Sequence, residues 1–516
     1  MLAWLVGVGF LVKREYFRPR VQTLAESAAR LGPGASYYTL AMGGGPIGYA
    51  SSIIDTAPGG GFEIQNNMVL DIQALGTVQK TTIIMIMNLT RTLRLRSFDA
   101  QLNSELSKFA ARGTVEGDTV LDMTIEAGAT QHQRVRLAHP IVLPDLVNLR
   151  LAVGGTLKPG QTYTLQMFDP LLQQQRDVGL HVLAESTLVF ADSARYDSTA
   201  GRWVPARQDT VRAFRIAQTY AGISAESWID ERGDILSSTS PMGFTMQRTA
   251  FEIAVENYRH DREKGTTAVA GAGSDIINAT AIASNVQLET NNLSVLRARL
   301  VNVSLEGFDL AGGRQSLAGD TLVVTRETGI GSGPHGAPPA MFDATLPLTS
   351  LGDTSISNAT LPEPLIQSDD PRIVTQAREI IGNERRAGVV AGMLTRWVYH
   401  TLEKKISPGI PSAVEVLESK SGDCNEHTAL YVALARAVGL PARTAVGVMY
   451  HPRYGRFYFH AWPEVWLGQW VAVDPTWGQF PADASHLRFV IGGLARQVEL
   501  VRVLGRLHID VVSSEQ

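Results

Sequence analysis

The stretch Ser421-Gly-Asp-Cys-Asn-Glu-His427 holds the only cysteine among 516 residues, and an apolar run follows it at once. Ala429, Leu430, Ala433, Leu434 and Ala437 recur at a three- to four-residue spacing, and Gly439 and Pro441 end the pattern. Cys424 is therefore predicted in the first turn of a helix. Unsatisfied amides and the helix dipole favour a thiolate there. Further along come His460-Ala-Trp462 and Val473-Asp-Pro-Thr476. Cysteine, histidine and aspartate in that order supply a candidate nucleophile, base and orienting acid. A lone cysteine in a large chain is ordinarily a small buried hydrophobe; its place at a helix start sets Cys424 apart.

Arg456 to Trp462 reads as one strand, with Tyr458, His460 and Trp462 on one face. Gln469 to Asp474 reads as another, and Leu467-Gly468 is the turn between them. An antiparallel hairpin centred near 467 pairs Glu464 with Trp470, Trp462 with Ala472 and His460 with Asp474. The even separation of His460 and Asp474 puts both side chains on the same face of the sheet.

Four stretches now carry a family resemblance: Gly422-Asp-Cys-Asn-Glu-His-Thr428, Ala435-Arg-Ala-Val-Gly-Leu-Pro-Ala-Arg443, His460-Ala-Trp-Pro-Glu-Val465 and Trp470-Val-Ala-Val-Asp-Pro-Thr476. Residues from about 370 to 490 resemble the bacterial members of the transglutaminase-like cysteine-enzyme superfamily. The resemblance implies a papain-like α+β core with Cys424 as nucleophile, His460 as general base and acid, and Asp474 as the group orienting His460. It implies amide hydrolysis through a thioester, as in a peptidase or isopeptidase. The alternatives are protein-glutamine acyl transfer, which cross-links, or a non-enzymatic envelope scaffold with a relict catalytic fold. The Cys424 N–H is the natural first oxyanion donor. Family members often add an upstream aromatic or amide side chain, but Lys404 and Ile406 occupy that neighbourhood, leaving Trp397 and Tyr399 as candidates. Asn425, Glu426, His427, Trp462 and Glu464 read as supporting or substrate-site positions, and Arg443 as a buried ion-pair residue. His451 and His486 lie in no motif.

No metal or cofactor is expected: the chain lacks nucleotide, haem and zinc motifs, and it has no acidic calcium loop. A net charge of −4, with 44% apolar and 19% charged residues, describes an ordinary globular chain without a polyanion-binding face. Arg91, Arg94 and Arg96 alternate with Leu93 and Leu95 and read as the wet face of a strand, so no nucleic-acid partner is expected.

The fold class expected is multidomain: β-rich antiparallel N-terminal domains followed by an α+β transglutaminase-like domain. Residues 1–34 form an apolar segment and helical lead-in. Leu2 to Val12 is wholly apolar and precedes Lys13 and Arg14, yet it is shorter than the ~20 residues a membrane-spanning helix needs. It reads either as the tail of a membrane anchor that starts upstream or as a buried first element. Under the first reading the chain is extracytoplasmic, in a bacterial envelope, and tethered to the inner membrane. Residues 35–262 read as an antiparallel β domain, with alternation at Leu121–Glu126 and Thr162–Met167 and a hairpin turning at Gly233. Its sheet resembles, weakly, open and curved lipoprotein-carrier sheets, and it would present a surface to an envelope protein partner. A glycine-rich break at Glu263–Ser274 precedes a second small β domain at 275–327, with strands at Ser304–Leu310 and Asp320–Thr325. Residues 328–364, rich in Gly, Pro, Ser and Thr, read as a linker. The catalytic domain spans 365–516, opening on an Asp370-Pro371 helix start. Its substrate is expected to be a peptide or protein.

Overall fold

The computed structural model describes residues 32–516, apart from 58–59, 75–76, 106, 155–156, 171–172, 221, 241–242, 265–274, 332, 349–351 and 407–408. The apolar run Leu2–Val12 lies outside the described residues. Among the described residues no helix is long and apolar enough to cross a membrane.

Alternation of buried and exposed side chains builds one fourteen-stranded antiparallel sheet. Eight strands form a meander: β1 (Gly34–Met42), β2 (Gly45–Ala57), β3 (Gly61–Ala74), β4 (Thr77–Leu89), β5 (Leu95–Asn103), β6 (Lys108–Glu116), β7 (Val120–Glu126) and β8 (Thr130–Arg136). A crossing segment carries helix α1 (Val147–Gly154) to a second meander. This comprises β9 (Thr162–Asp169), β10 (Gln174–Asp197), β11 (Arg202–Tyr220), β12 (Ile223–Asp230), β13 (Ile235–Thr239) and β14 (Phe244–Thr249). The halves join where β1 pairs with β14, so β8 and β9 are the two edges of an open sheet. Helix α1 lies across the joint. Leu149 packs with the β3–β7 core, whereas Val147 and Leu151 pack with the β9–β12 core. Gly233 makes the β12–β13 turn at φ +88°, a conformation that favours glycine. Arg91, Arg94 and Arg96 are exposed as expected, but they lie on the turn into β5 and at its start, where Leu93 and Leu95 are buried.

Two expectations about the middle of the chain are corrected. Residues 275–327 are not a separate domain. Here β15 (Ile282–Ala283) pairs with a strand of the C-terminal sheet. β16 (Val295–Val301), β17 (Gln315–Ala318) and β18 (Thr321–Thr325) form a sheet completed by the last strand of the chain. Leu296, Leu300 and Val324 share one apolar cluster with Val446, Phe457 and Phe489, so neither part has a closed core of its own. Ser304–Leu310 is a loop rather than a strand. Its Asp309 carboxylate is committed to the Ile491 N–H at 2.8 Å and to Arg496 at 3.2 Å. Residues 328–364 are irregular but not a free tether: Ile330, Leu346 and Leu348 are buried against the helices of the C-terminal domain.

That domain begins with α2 (Pro371–Ile381), whose N-cap Asp370 accepts from the Arg372 N–H, and α3 (Ala387–Thr401). A two-residue strand, β19 (Glu403–Lys404), runs parallel to β20 (Ser421–Gly422), with α4 (Ala413–Ser419) between them. Helix α5 (Cys424–Ala437) follows and packs against the central sheet. In that sheet β21 (Ala442–His451) lies between β22 (Arg456–Trp466) and β24 (His486–Ile491), with β23 (Trp470–Ala472) beside β22. The closing strand β25 (His508–Glu515) pairs with β16. The segment leading into α4 also docks on the large sheet. Ser412 Oγ donates to Ala127 O at 2.6 Å, Ser107 Oγ donates to Ile410 O at 3.0 Å, and Ile410 is buried in the core of β3–β7.

Candidate active site

Helix α5 starts at Cys424 because Asp423 caps it. The Asp423 carboxylate accepts from the Asn425 N–H at 2.9 Å, and Glu426 reaches back to the Asp423 N–H at 2.9 Å, a reciprocal capping box. A β-carbon at Gly422 would lie 2.3 Å from Glu426 Cβ, so this entry into the helix requires glycine. The sulfur lies beside β22, within reach of the Ala461 N–H. Its electrostatics differ from the sequence expectation. Burial, with the nearby Asp423 carboxylate, pushes the Cys424 thiol up; the Ala461 N–H pulls the other way, and Glu426 and Asp474 add to the rise. These surroundings favour the thiol over the thiolate.

The hairpin that carries His460 and Asp474 has a register offset from the predicted one. Glu464 pairs with Ala472 and Trp466 with Trp470, so the turn centres on Gly468, which stands at φ +88°. A two-residue shift of partners preserves the faces. Asp474 then leaves the ladder: its N–H and C=O exchange bonds with Gln479, and its Oδ1 accepts from the Thr476 and Trp477 N–H groups. Its Oδ2 reaches back to His460 Nε2 at 2.8 Å, with both side chains buried. An ionised carboxylate only accepts, so His460 carries its proton on Nε2 and its Nδ1 is the basic nitrogen. Trp462 stacks beside the His460 ring with centroids 6.1 Å apart.

His486, which no sequence pattern marked, completes the cluster. Its Nε2 donates to the same Asp474 Oδ2 at 2.9 Å, and its Nδ1 lies 3.2 Å from Asp483 Oδ1. Burial works against a charge on His486, but the Asp474 and Asp483 carboxylates raise its pKa to about 9. Burial likewise opposes ionisation of Asp474, yet His460 and His486 hold that carboxyl far below its ordinary range. Among the described residues, His460, Asp474 and His486 are the one group whose potential ligand atoms lie within 4.8 Å of one another. Both Nε2 atoms are bonded to the carboxylate between them, so the group is satisfied as an ion-pair cluster.

The remaining expected positions separate into two groups. His427 donates from Nδ1 to Asp423 O at 2.7 Å, and burial lowers its pKa. Glu464 is buried between Arg443 (2.6 Å) and Arg488 (2.8 Å), which hold its carboxyl below the ordinary value against the effect of burial. Tyr399 packs over the Gly478 backbone and under the Lys404 ammonium, 4.2 Å from its ring; Trp397 packs on the helical core. Of the other two, Asn425 lines a cavity beside α5 and Glu426 is the helix cap. Two exposed aromatics that sequence did not single out, Trp477 and Tyr454, flank His451, with ring centroids 5.1 and 4.5 Å from it.

Residues 375–475 match the family model described as the transglutaminase-like superfamily. No curated protein matches the chain in sequence. Among solved structures, a Cytophaga hutchinsonii protein provisionally assigned as a cysteine protease is 17% identical, covering 46% of this chain and 84% of its own, with a TM-score of 0.27. A β-barrel-like protein of the DUF1849 family from Brucella abortus is 14% identical over 42% of this chain and 95% of its own, with a TM-score of 0.28. The periplasmic domain of TgpA from Pseudomonas aeruginosa is 20% identical over 38% of this chain and 78% of its own, with a TM-score of 0.24. The chain thus joins a large antiparallel sheet to a C-terminal transglutaminase-like domain at residues 375–475.

Proposed function

We propose that the protein is a cysteine amide hydrolase of the peptidase or isopeptidase type, with Cys424 as nucleophile, His460 as base and acid, and Asp474 as the orienting acid. The observation that carries this reading is the 2.8 Å bond from His460 Nε2 to Asp474 on the strand against which Cys424 packs. It fixes the tautomer that leaves Nδ1 to take a proton.

In the first half-reaction the Cys424 proton moves to His460 Nδ1 and the sulfur attacks the carbonyl carbon. The oxyanion forms against the Cys424 N–H, a first-turn amide with no partner within the helix. The C–N bond then breaks and His460 gives its proton to the departing amine, leaving a thioester. In the second half-reaction His460 takes a proton from water, hydroxide adds to the thioester, and the sulfur leaves and is reprotonated by His460. Base assistance of this kind is worth roughly 10²–10⁴-fold. It matters more here because burial and the surrounding carboxylates disfavour a free thiolate. The large sheet, docked on α4, is proposed to present substrate or an envelope partner. The extracytoplasmic, membrane-tethered placement is proposed from the Leu2–Val12 run alone.

The test is alkylation of Cys424 by chloroacetamide at pH 7, compared with His460→Ala. Wild-type protein should react at least 10-fold faster, and a peptide-amide library should be cleaved by wild type but not by Cys424→Ala. Equal alkylation rates would show that His460 does not activate the thiol and would sink the reading.

A further inference from the structure

The large sheet holds a cavity of about 380 Å³ near the seam of its two meanders, beneath the segment that leads into α1. Strand register explains its floor. Tyr38, Ala50, Met68 and Ile83 pair in turn across β1, β2, β3 and β4, so they form one apolar row on one face. Four strands at about 4.8 Å spacing make that row about 14 Å long. Ser52, Asn66 and Met85 form the next row on the same face. All of these line the cavity, and Met68, Ile83 and Met85 are only half-buried. Apolar side chains left open to a recess of this size, two of them adaptable methionines, suit a ligand with an alkyl body.

One charge faces this apolar space without a counter-ion. Asp145 lines the cavity from the segment above, and its side chain is accessible. It accepts from Asn66 Nδ2 at 2.5 Å, and among the described residues it makes no ion pair. The protein around it pushes its carboxyl up; the Asn66 bond pulls the other way, and no cation contributes. The other two charged groups on the lining, Arg232 and Asp234, pair with each other at 2.8 Å.

We propose that this cavity binds an apolar primary amine, with the ammonium on Asp145 and the alkyl chain along the row from Tyr38 to Ile83. The ammonium supplies the counter-charge that Asp145 lacks, in a charge-assisted hydrogen bond. The chain displaces water from Met68, Ile83 and Met85. An alcohol of the same length fills the apolar space but brings no charge, and a fatty carboxylate meets a like charge at Asp145. The site uses neither Cys424 nor His460, so it stands or falls apart from the hydrolase reading.

The test is calorimetric titration of the full chain at pH 7 with octylamine, 1-octanol and octanoate. Octylamine should bind at least 10-fold more tightly than 1-octanol, and octanoate more weakly than either. Asp145→Asn keeps an acceptor for Asn66 and removes the charge. It should bring octylamine down to the affinity of 1-octanol and leave 1-octanol unchanged. Ser52→Trp fills the cavity from a half-buried position and should weaken both ligands at least 10-fold. Urea midpoints near the wild-type value show that the variants are folded, and the wild-type comparison decides the matter even where a variant is not. Equal affinity for octylamine and 1-octanol, or no binding of either, overturns the proposal. So does an amine preference that survives Asp145→Asn, or binding that survives Ser52→Trp.

Discussion

His460 and His486 stand on strands separated by β21, yet both donate to the same oxygen of Asp474, at 2.8 and 2.9 Å. One carboxylate thus orients the candidate base and is itself held by a second, charged imidazole. Replacing His486 by Gln removes that charge from a buried acid. The Asp474 carboxyl should become easier to protonate, and its grip on His460 Nε2 should weaken. Alkylation of Cys424 should slow by roughly 10-fold. The acid limb of its pH profile should move to higher pH, a change that loss of packing alone does not produce. An unmoved acid limb would show that His486 only fills space.

The same residue makes a statement about stability. The pKa of His486 rises from 6.5 to about 9 in the folded protein, so the folded state holds this proton more tightly than the unfolded chain. The stabilisation is complete below about pH 6.5 and is lost as pH climbs to about 9. The rise corresponds to roughly 3 kcal/mol. Urea unfolding of wild type and His486→Gln, run in parallel from pH 5 to 9, should show a gap that is widest at the acid end and closes by about that amount. A gap independent of pH would mean that His486 is buried neutral.

The local sequence carried the helix start at Asp423-Cys424 and the shared face of His460 and Asp474, because capping chemistry and the period of two act over a few residues. The register was legible only to within two residues. It depends on Gly468 taking φ +88°, which shifts the turn by one position, and the pairing of His460 with Asp474 survives because the carboxylate reaches back from a loop. His486 was invisible: Asp474, Asp483 and His486 meet through the path of the loop between β23 and β24, and no spacing encodes that. The supposed small β domain failed for a related reason. The strands near 295 and 321 look self-sufficient, but the partner that completes their sheet is β25, about two hundred residues away. The thiol went the other way from the helix-dipole argument because burial and the flanking carboxylates outweigh one helix terminus.

Glu464 offers a test of how the two smaller sheets are joined. It is 1% exposed and bonded to Arg443 and Arg488, and Arg488 also donates to the carbonyls of Asp309, Ala311 and Gly312 in the loop after β16. Glu464→Gln keeps the shape but removes the carboxylate from the buried Arg488 and the half-buried Arg443. Stability should fall by about 3–5 kcal/mol, read as a lower urea midpoint with an unchanged slope. A loss below about 1 kcal/mol would show that carbonyls and solvent suffice for the arginines.

Gly447 lies on the strand between those of the two imidazoles. It lies directly opposite His460 on β21, and on β24 it faces Arg488, two residues from His486, which itself pairs with Met449. The His460 and His486 ring centroids stand 5.6 Å apart across that strand. A β-carbon at 447 would also fall 1.9 Å from the Leu487 carbonyl oxygen, which is backbone and cannot rotate away. Gly447→Ala must therefore push β24 outward, stretching the His486 bond to Asp474. We expect a loss of about 3 kcal/mol in urea unfolding, at the upper end for an overpacked core. At a temperature where the variant is still folded, Cys424 alkylation should slow as in His486→Gln. Gly34→Ala, at a position with open space around it, should change neither. If Gly447→Ala is destabilised but alkylates at the wild-type rate, the spacing of His460 and His486 does not govern the reactivity of Cys424.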